Sequence, residues 1–230
     1  MIIWMCVKPL RSALLDIYQL LYRHFGPQHW WPGEGPFEVM VGAILTQSAS
    51  WKNVEKAILR LKEADALSPG ALRSTKPEIL AELVRPSGYY HAKARKLQAM
   101  SGWLGEAYGD SVEKMSAARW PVLRKQLLEV HGIGPETADS ILLYAANKPV
   151  FVVDAYTRRI IDRLGVPVKG SRYQDYQALF MDALPHRAGL FNEYHALLVA
   201  LGKDLCRNSR PRCPRCPLRS ECLFAGGHLS

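Results

Sequence analysis

Cysteine is nearly absent from most of this 230-residue chain: residues 1–205 hold only Cys6, and the other four fall at Cys206, Cys213, Cys216 and Cys222. Crowding of that kind speaks against a disulfide framework spread through a small secreted fold, which stays as the plain alternative. A secretory signal is also missing, because MIIWMCVKPL lacks a charged start followed by an apolar core. No run approaches the roughly 18 apolar residues of a membrane span. A reducing cytosol and no membrane partner are therefore expected. Acidic residues are in deficit, 21 Asp and Glu against 30 Lys and Arg, and the resulting charge of +9 points to a polyanion as partner. There is no low-complexity tract, no convincing internal repeat and no series of period-two strands. With 48% hydrophobic residues the chain can bury a sizeable core and should fold throughout, as a monomer.

The apolar residues recur with helical spacing. Leu14, Ile17, Tyr18 and Leu21 form one stripe, and Val54, Ala57, Ile58 and Leu61 form another. Further stripes run through Leu80–Val84, Leu97–Leu104, Leu123–Leu128 and Ala138–Ala145. Breakers at Pro32-Gly33, Pro69-Gly70, Pro86-Ser87-Gly88, Gly132-Ile133-Gly134 and Gly165 with Pro167 separate them at helix-length intervals. Val150–Val153 has strand-forming composition but runs straight into Asp154 and a helical pattern, so an extended lead into a helix is expected. The fold class is all-α.

Two motifs carry chemistry. The four clustered cysteines stand as C-x6-C-x2-C-x5-C within seventeen residues. Zinc sites normally use two separated knuckles, whereas four thiolates in one short loop suit a [4Fe-4S] cluster. The second motif is His131-Gly132-Ile133-Gly134-Pro135-Glu136-Thr137, two glycines between helical stripes with proline at a first-turn position. Such a hairpin presents bare backbone, and the N–H groups opening its second helix favour a phosphate oxygen without reading a base. An ordinary helix-helix turn is the plain alternative.

Beyond the hairpin, Val152-Val153-Asp154-Ala155-Tyr156-Thr157-Arg158 resembles the helix-hairpin-helix DNA glycosylases of the endonuclease III superfamily, whose hairpin is followed about twenty residues later by an aspartate preceded by valines. The cysteine loop and its lead-in Tyr194–Gly202 are similar to the same superfamily. So are Gly42-Ala43-Ile44-Leu45-Thr46-Gln47, which matches the segment bearing a DNA-inserting glutamine, and Ser87–Ala94, which matches a later loop of the cleft. The resemblance spans roughly residues 10 to 224. It departs from bifunctional endonuclease III at Glu136, which stands where a lysine forms the Schiff base of strand cleavage. Glutamate there, with Trp30-Trp31-Pro32 and Phe37-Glu38, resembles the 3-methyladenine DNA glycosylase III branch, whose described members lack the cysteine loop.

Cleaving an N-glycosidic bond builds positive charge on the sugar, so a buried carboxylate near C1′ can stabilise that charge and orient water. Asp154 is the candidate, with a simple helix N-cap as the alternative, and Glu136 is a second carboxylate placed at the hairpin. The resemblance implies base flipping, with Gln47 filling the gap and Tyr89, Tyr90 or His91 as a second wedge. Trp30 and Trp31 are expected to line the base pocket, where a cationic alkylpurine gains from an aromatic face. Gly132, Gly134, Arg207, Arg210 and Arg212 are expected at DNA phosphates. The implied architecture is a helical domain of residues 28–148 with the wedge loops and hairpin. A second domain of residues 1–27 and 149–230 carries the [4Fe-4S] loop, and double-stranded DNA lies in the cleft between them. The expected activity is monofunctional excision of damaged bases, alkylated purines such as 3-methyladenine above others, in a cytoplasmic setting and at the nucleoid in a prokaryote. Two other readings stay open: endonuclease III-type excision of pyrimidines or mismatches, and a non-enzymatic iron-sulfur DNA-binding or redox-sensing protein in which Asp154 is dispensable.

Overall fold

The computed structural model describes residues 8–226, so Cys6 lies outside them. Among these residues there are twelve α-helices and no strand, and none is long and apolar enough to cross a membrane. Residues up to Trp30 together with those from Pro149 onward form one compact unit, and Trp31–Lys148 form the other.

Inside Trp31–Lys148 the central element is α2 (Pro36–Leu45), in which Val39 to Leu45 are buried without interruption. A helix that is apolar on all sides must be surrounded. Helix α3 (Trp51–Glu63) turns Val54, Ala57, Ile58 and Leu61 inward and keeps its charges in solvent. Short helices α4 (Pro69–Ser74) and α5 (Pro77–Val84) each begin on proline, whose missing N–H costs nothing there. They pack on the long α6 (Tyr90–Tyr108), which is followed by α7 (Val112–Ala117). The hairpin is α8 (Trp120–Glu129), the turn 130–134 and α9 (Pro135–Ser140). Its two helices are fastened by a bidentate ion pair, Arg124 Nε to Asp139 Oδ1 at 2.7 Å and Nη2 to Oδ2 at 3.0 Å, with Asp139 fully buried.

The spacing of Ala138, Ile141, Leu142 and Ala145 predicts an α-helix through residue 145, but Ile141–Ala145 widens into a π turn. The N–H of Ala146 reaches the Ile141 carbonyl at 3.0 Å. Ile141, Leu142 and Leu143 are buried within this wider turn, and Tyr144 lies against Trp31.

The other unit holds α1 (Leu10–Phe25), α10 (Ala155–Leu164), α11 (Tyr173–Met181) and α12 (Ala188–Asp204). Val150–Val153 is extended and buried, as its composition implies. Phe151 stacks on Phe180 with centroids 3.8 Å apart and meets Phe191 and Tyr194 edge-on. The buried Tyr194 hydroxyl donates to the Leu14 carbonyl at 2.8 Å, tying α12 to α1.

Candidate functional site

Asp154 is the N-cap of α10 and also faces a buried histidine. Its Oδ1 accepts the Thr157 N–H at 2.7 Å and caps α10, while Oδ2 lies 3.6 Å from Nε2 of the buried His195 on α12. Burial is the largest influence and pushes this carboxyl up, but His195 and the Thr157 N–H together outweigh it and hold the group below the ordinary carboxylate value. The result is a largely buried carboxylate held in its charged form, with Oδ1 on the helix cap and Oδ2 facing His195. His195 is not singled out by any sequence motif. Its signal was a lone titratable residue inside the apolar run Tyr194–Leu201, and only packing brings it to Asp154.

The helix that Asp154 caps also holds the cysteine loop. Arg159 Nε and Nη2 donate to the carbonyls of Cys206 and Gly202 at 2.9 and 3.1 Å. Arg163 Nη1 donates to Cys206 Sγ at 3.4 Å and to the Arg207 carbonyl at 2.7 Å, and its guanidinium sits 4.6 Å from the Phe224 ring centroid. Cys206, Cys213, Cys216 and Cys222 carry free thiols, and all four line one pocket with Leu205, Arg163 and Phe224. Burial, with the neighbouring sulfurs, pushes the Cys216 thiol up to about 11 and raises Cys222 as well. Four thiolates are thus costly without positive charge among them. Among the described residues no three His, Cys, Asp or Glu side chains converge as ligands of one ion. Four cysteines round one pocket supply the donor set of a group that takes one thiolate per iron. Arg207, Arg210 and Arg212 stand exposed on the same loop.

Within Trp31–Lys148 the hairpin and the loops at Gln47 and Tyr89 are joined through α6. Gly132 needs to be glycine twice over, since its φ is +81° and an added Cβ would lie 2.3 Å from Lys96 Cγ. Gly134 has an ordinary extended backbone and open space where a Cβ would be, so nothing in the fold demands glycine there. Its bare, exposed backbone is free for close approach by a ligand. Gln47 is held on this turn: Nε2 donates to the Gly132 carbonyl at 3.2 Å and to Thr137 Oγ1 at 2.9 Å, while Oε1 accepts from Lys96 Nζ at 2.5 Å. One turn earlier on α6, the buried Lys93 donates to the Leu45 carbonyl at 2.8 Å and the Ser87 carbonyl at 2.6 Å, pinning the loops after α2 and before α6 to each other. Burial, then the nearby Lys96 charge, lowers Lys93 to about 8.

Of the second-wedge candidates, Tyr89 projects furthest. It is 75% exposed with φ at +45°, a left-handed conformation unusual for a bulky residue. Tyr90 is half-buried beneath Arg85, and its ring lies 4.5 Å from that of the exposed His91. Glu136 is exposed at the start of α9.

The two tryptophans occupy irregular backbone and belong to different units. Trp31 lies on Gly42, where a Cβ would come within 3.2 Å of the indole, and packs against Trp51 and Tyr144 with centroids 5.4 and 5.3 Å away. Trp30 has the Lys203 ammonium 5.7 Å from its ring centroid.

Known proteins agree with this geometry. A provisionally assigned DNA repair glycosylase of Methanocaldococcus jannaschii is 43% identical over 213 residues, covering 92% of this chain and 96% of that protein. Endonuclease III of Thermotoga maritima is 32% identical, with 82% of this chain and 83% of that one covered. Among solved structures, the Helicobacter pylori 3-methyladenine DNA glycosylase bound to 1,N6-ethenoadenine superimposes with a TM-score of 0.71 at 30% identity, covering 85% of this chain and 98% of that one. Residues 41–186 match the profile of the HhH-GPD superfamily base excision DNA repair proteins. With the hairpin inside that span and Asp154 following it, the chain belongs to the HhH-GPD superfamily and is a base excision repair DNA glycosylase.

Proposed function

We propose that the protein is a monofunctional glycosylase that excises alkylated purines from double-stranded DNA. The observation that carries this reading is the carboxylate at Glu136, exposed at the hairpin where the bifunctional enzymes of the superfamily resemble one another in having a lysine. A carboxylate forms no Schiff base, so release of the base falls to water. Asp154 supplies the fixed negative charge: it stays ionised, stabilises the developing sugar cation, and its Oδ2 orients the attacking water at C1′. Gln47 fills the space of the extruded nucleotide, with Tyr89 as the second wedge. Trp30, whose ring attracts the Lys203 ammonium, offers the base site an electron-rich aromatic face from which a positively charged alkylpurine gains most once that ammonium moves aside. The solved relative holding 1,N6-ethenoadenine supports a purine rather than a pyrimidine substrate.

Cys206, Cys213, Cys216 and Cys222 would hold a [4Fe-4S] cluster, which when bound cross-links the loop and offsets the charge of four thiolates. Hydrolysis of a glycosidic bond requires no electron. Arg207, Arg210 and Arg212 are then fixed as phosphate contacts. The cysteine loop itself favours a second reading, pyrimidine or mismatch excision in the manner of endonuclease III, because the loop is typical of that branch.

The deciding experiment incubates the purified protein with duplexes carrying single lesions and compares untreated with heat-alkali lanes. Release of 3-methyladenine or ethenoadenine with intact untreated strands is expected. Preferred release of an oxidised pyrimidine or a mismatched thymine establishes the second reading instead.

A further inference from the structure

We propose that Lys96 is a positioning residue that parks Gln47 on the hairpin while no DNA is bound. The same ammonium transfers to a backbone phosphate when DNA arrives, releasing Gln47 to enter the duplex. The inference rests on the reading of Gln47 as the wedge.

Gln47 has its full set of strong partners within the protein. Both amide hydrogens are used, on the Gly132 carbonyl at 3.2 Å and Thr137 Oγ1 at 2.9 Å, and the amide oxygen takes the Lys96 ammonium at 2.5 Å. A glutamine so engaged cannot insert between bases without giving up all three bonds. The lysine reaches it by a defined route, because its stem crosses Gly132 at the one place where a side chain on the turn would block it. The next residue along the loop, Ser48, has φ at +53°, so the backbone is already bent away from its relaxed range beside the parked side chain.

Charge says what displaces the ammonium. Among the described residues no carboxylate lies within ion-pair distance of Lys96, which is matched only to the neutral amide. Lys93, three residues earlier, is satisfied by carbonyls alone, and the two ammonium groups repel each other. Two uncompensated cations on one face of α6, one of them at the hairpin, make a site that lacks an anion. A phosphate oxygen is a better acceptor for an ammonium than an amide oxygen, since the bond becomes charge-assisted on both sides. Contact of the hairpin with the DNA backbone therefore removes the bond that closes the latch, and wedge release is coupled to docking.

Lys96→Met keeps the stem over Gly132 and removes the ammonium. In the free protein, the side-chain amide signals of Gln47 should move toward those of a mobile glutamine. With undamaged duplex, the slope of log K against log salt should fall by about one. In stopped-flow mixing with saturating duplex carrying 2-aminopurine beside the lesion, the observed flipping rate, which includes release of Gln47 from the hairpin, should rise severalfold. Lys96→Arg, which keeps a cation, should retain the wild-type slope. If Gln47→Ala flips and excises like wild type, the wedge reading fails and this inference with it. If Gln47→Ala is impaired while Lys96→Met leaves slope and flipping rate unchanged, the wedge stands and the latch is overturned. A reduced slope with slower flipping also overturns the latch, because Lys96 would then be only a phosphate contact.

Discussion

At the scale of single residues, two titrating groups are held in opposite ways. Asp154 is depressed below its ordinary value, so its stabilising contribution is complete above the unfolded carboxylate range and is lost only as pH falls through the lower, folded value. The acid limb of the excision rate should accordingly lie below the ordinary carboxylate range. Replacing His195 with Phe leaves burial dominant, and the acid limb of kcat/KM should move upward; a pH profile of single-turnover excision checks this. Asp154→Asn should bind lesion DNA as wild type does yet lose base release, whereas wild-type excision by that variant ends the catalytic assignment. Lys93 behaves in the reverse sense to a paired lysine. Its folded value near 8 lies below the unfolded 10.5, so between these the unfolded chain binds more protons and Lys93 contributes rising stability with pH. Lys93→Met should flatten that part of the urea-denaturation profile between pH 8 and 10.5.

At the scale of elements, the hairpin is only as rigid as the pair that fastens it. Arg124→Met leaves Asp139 fully buried without its guanidinium partner, a loss of roughly 3 kcal/mol to be measured by chemical denaturation. DNA affinity should fall with it, since Gly132 and Gly134 lose their fixed spacing. The cysteine loop has little regular structure, three short turns of 3-10 helix, and hangs on Arg159 and Arg163. If the proposed cluster is held there, Cys213→Ser should remove its brown visible absorbance and make residues 206–222 the first site of proteolytic cleavage. Stoichiometric zinc without iron or sulfide in anaerobically prepared protein would refute the cluster.

At the scale of the molecule, an excess of nine positive charges must show itself in binding. If roughly five phosphates are neutralised, log K should fall against log salt with a slope of about −4.5, and titrations of undamaged duplex over a range of salt measure it. Turnover is expected to end at an intact abasic strand. Borohydride added during excision should trap little covalent adduct; trapping that keeps pace with base release would reveal an amine acting in place of water.

Much of this was legible along the chain, because helical class, hairpin and cysteine loop are local patterns. Apolar spacing specifies a buried face, glycine and proline punctuate it, and C-x6-C-x2-C-x5-C brings four thiols together by contour length alone. The π turn at Ile141–Ala145 was not legible, since the winding is set by the core that Ile141, Leu142 and Leu143 must fill together. Nor were the contacts that give the site its chemistry. His195 reaches Asp154 across forty-one positions of sequence, and Gln47 reaches the hairpin across 85, through a lysine that no motif marks. Such partners follow from how helices pack, and packing places side chains by volume and direction in space, quantities that residue order constrains only through the whole fold.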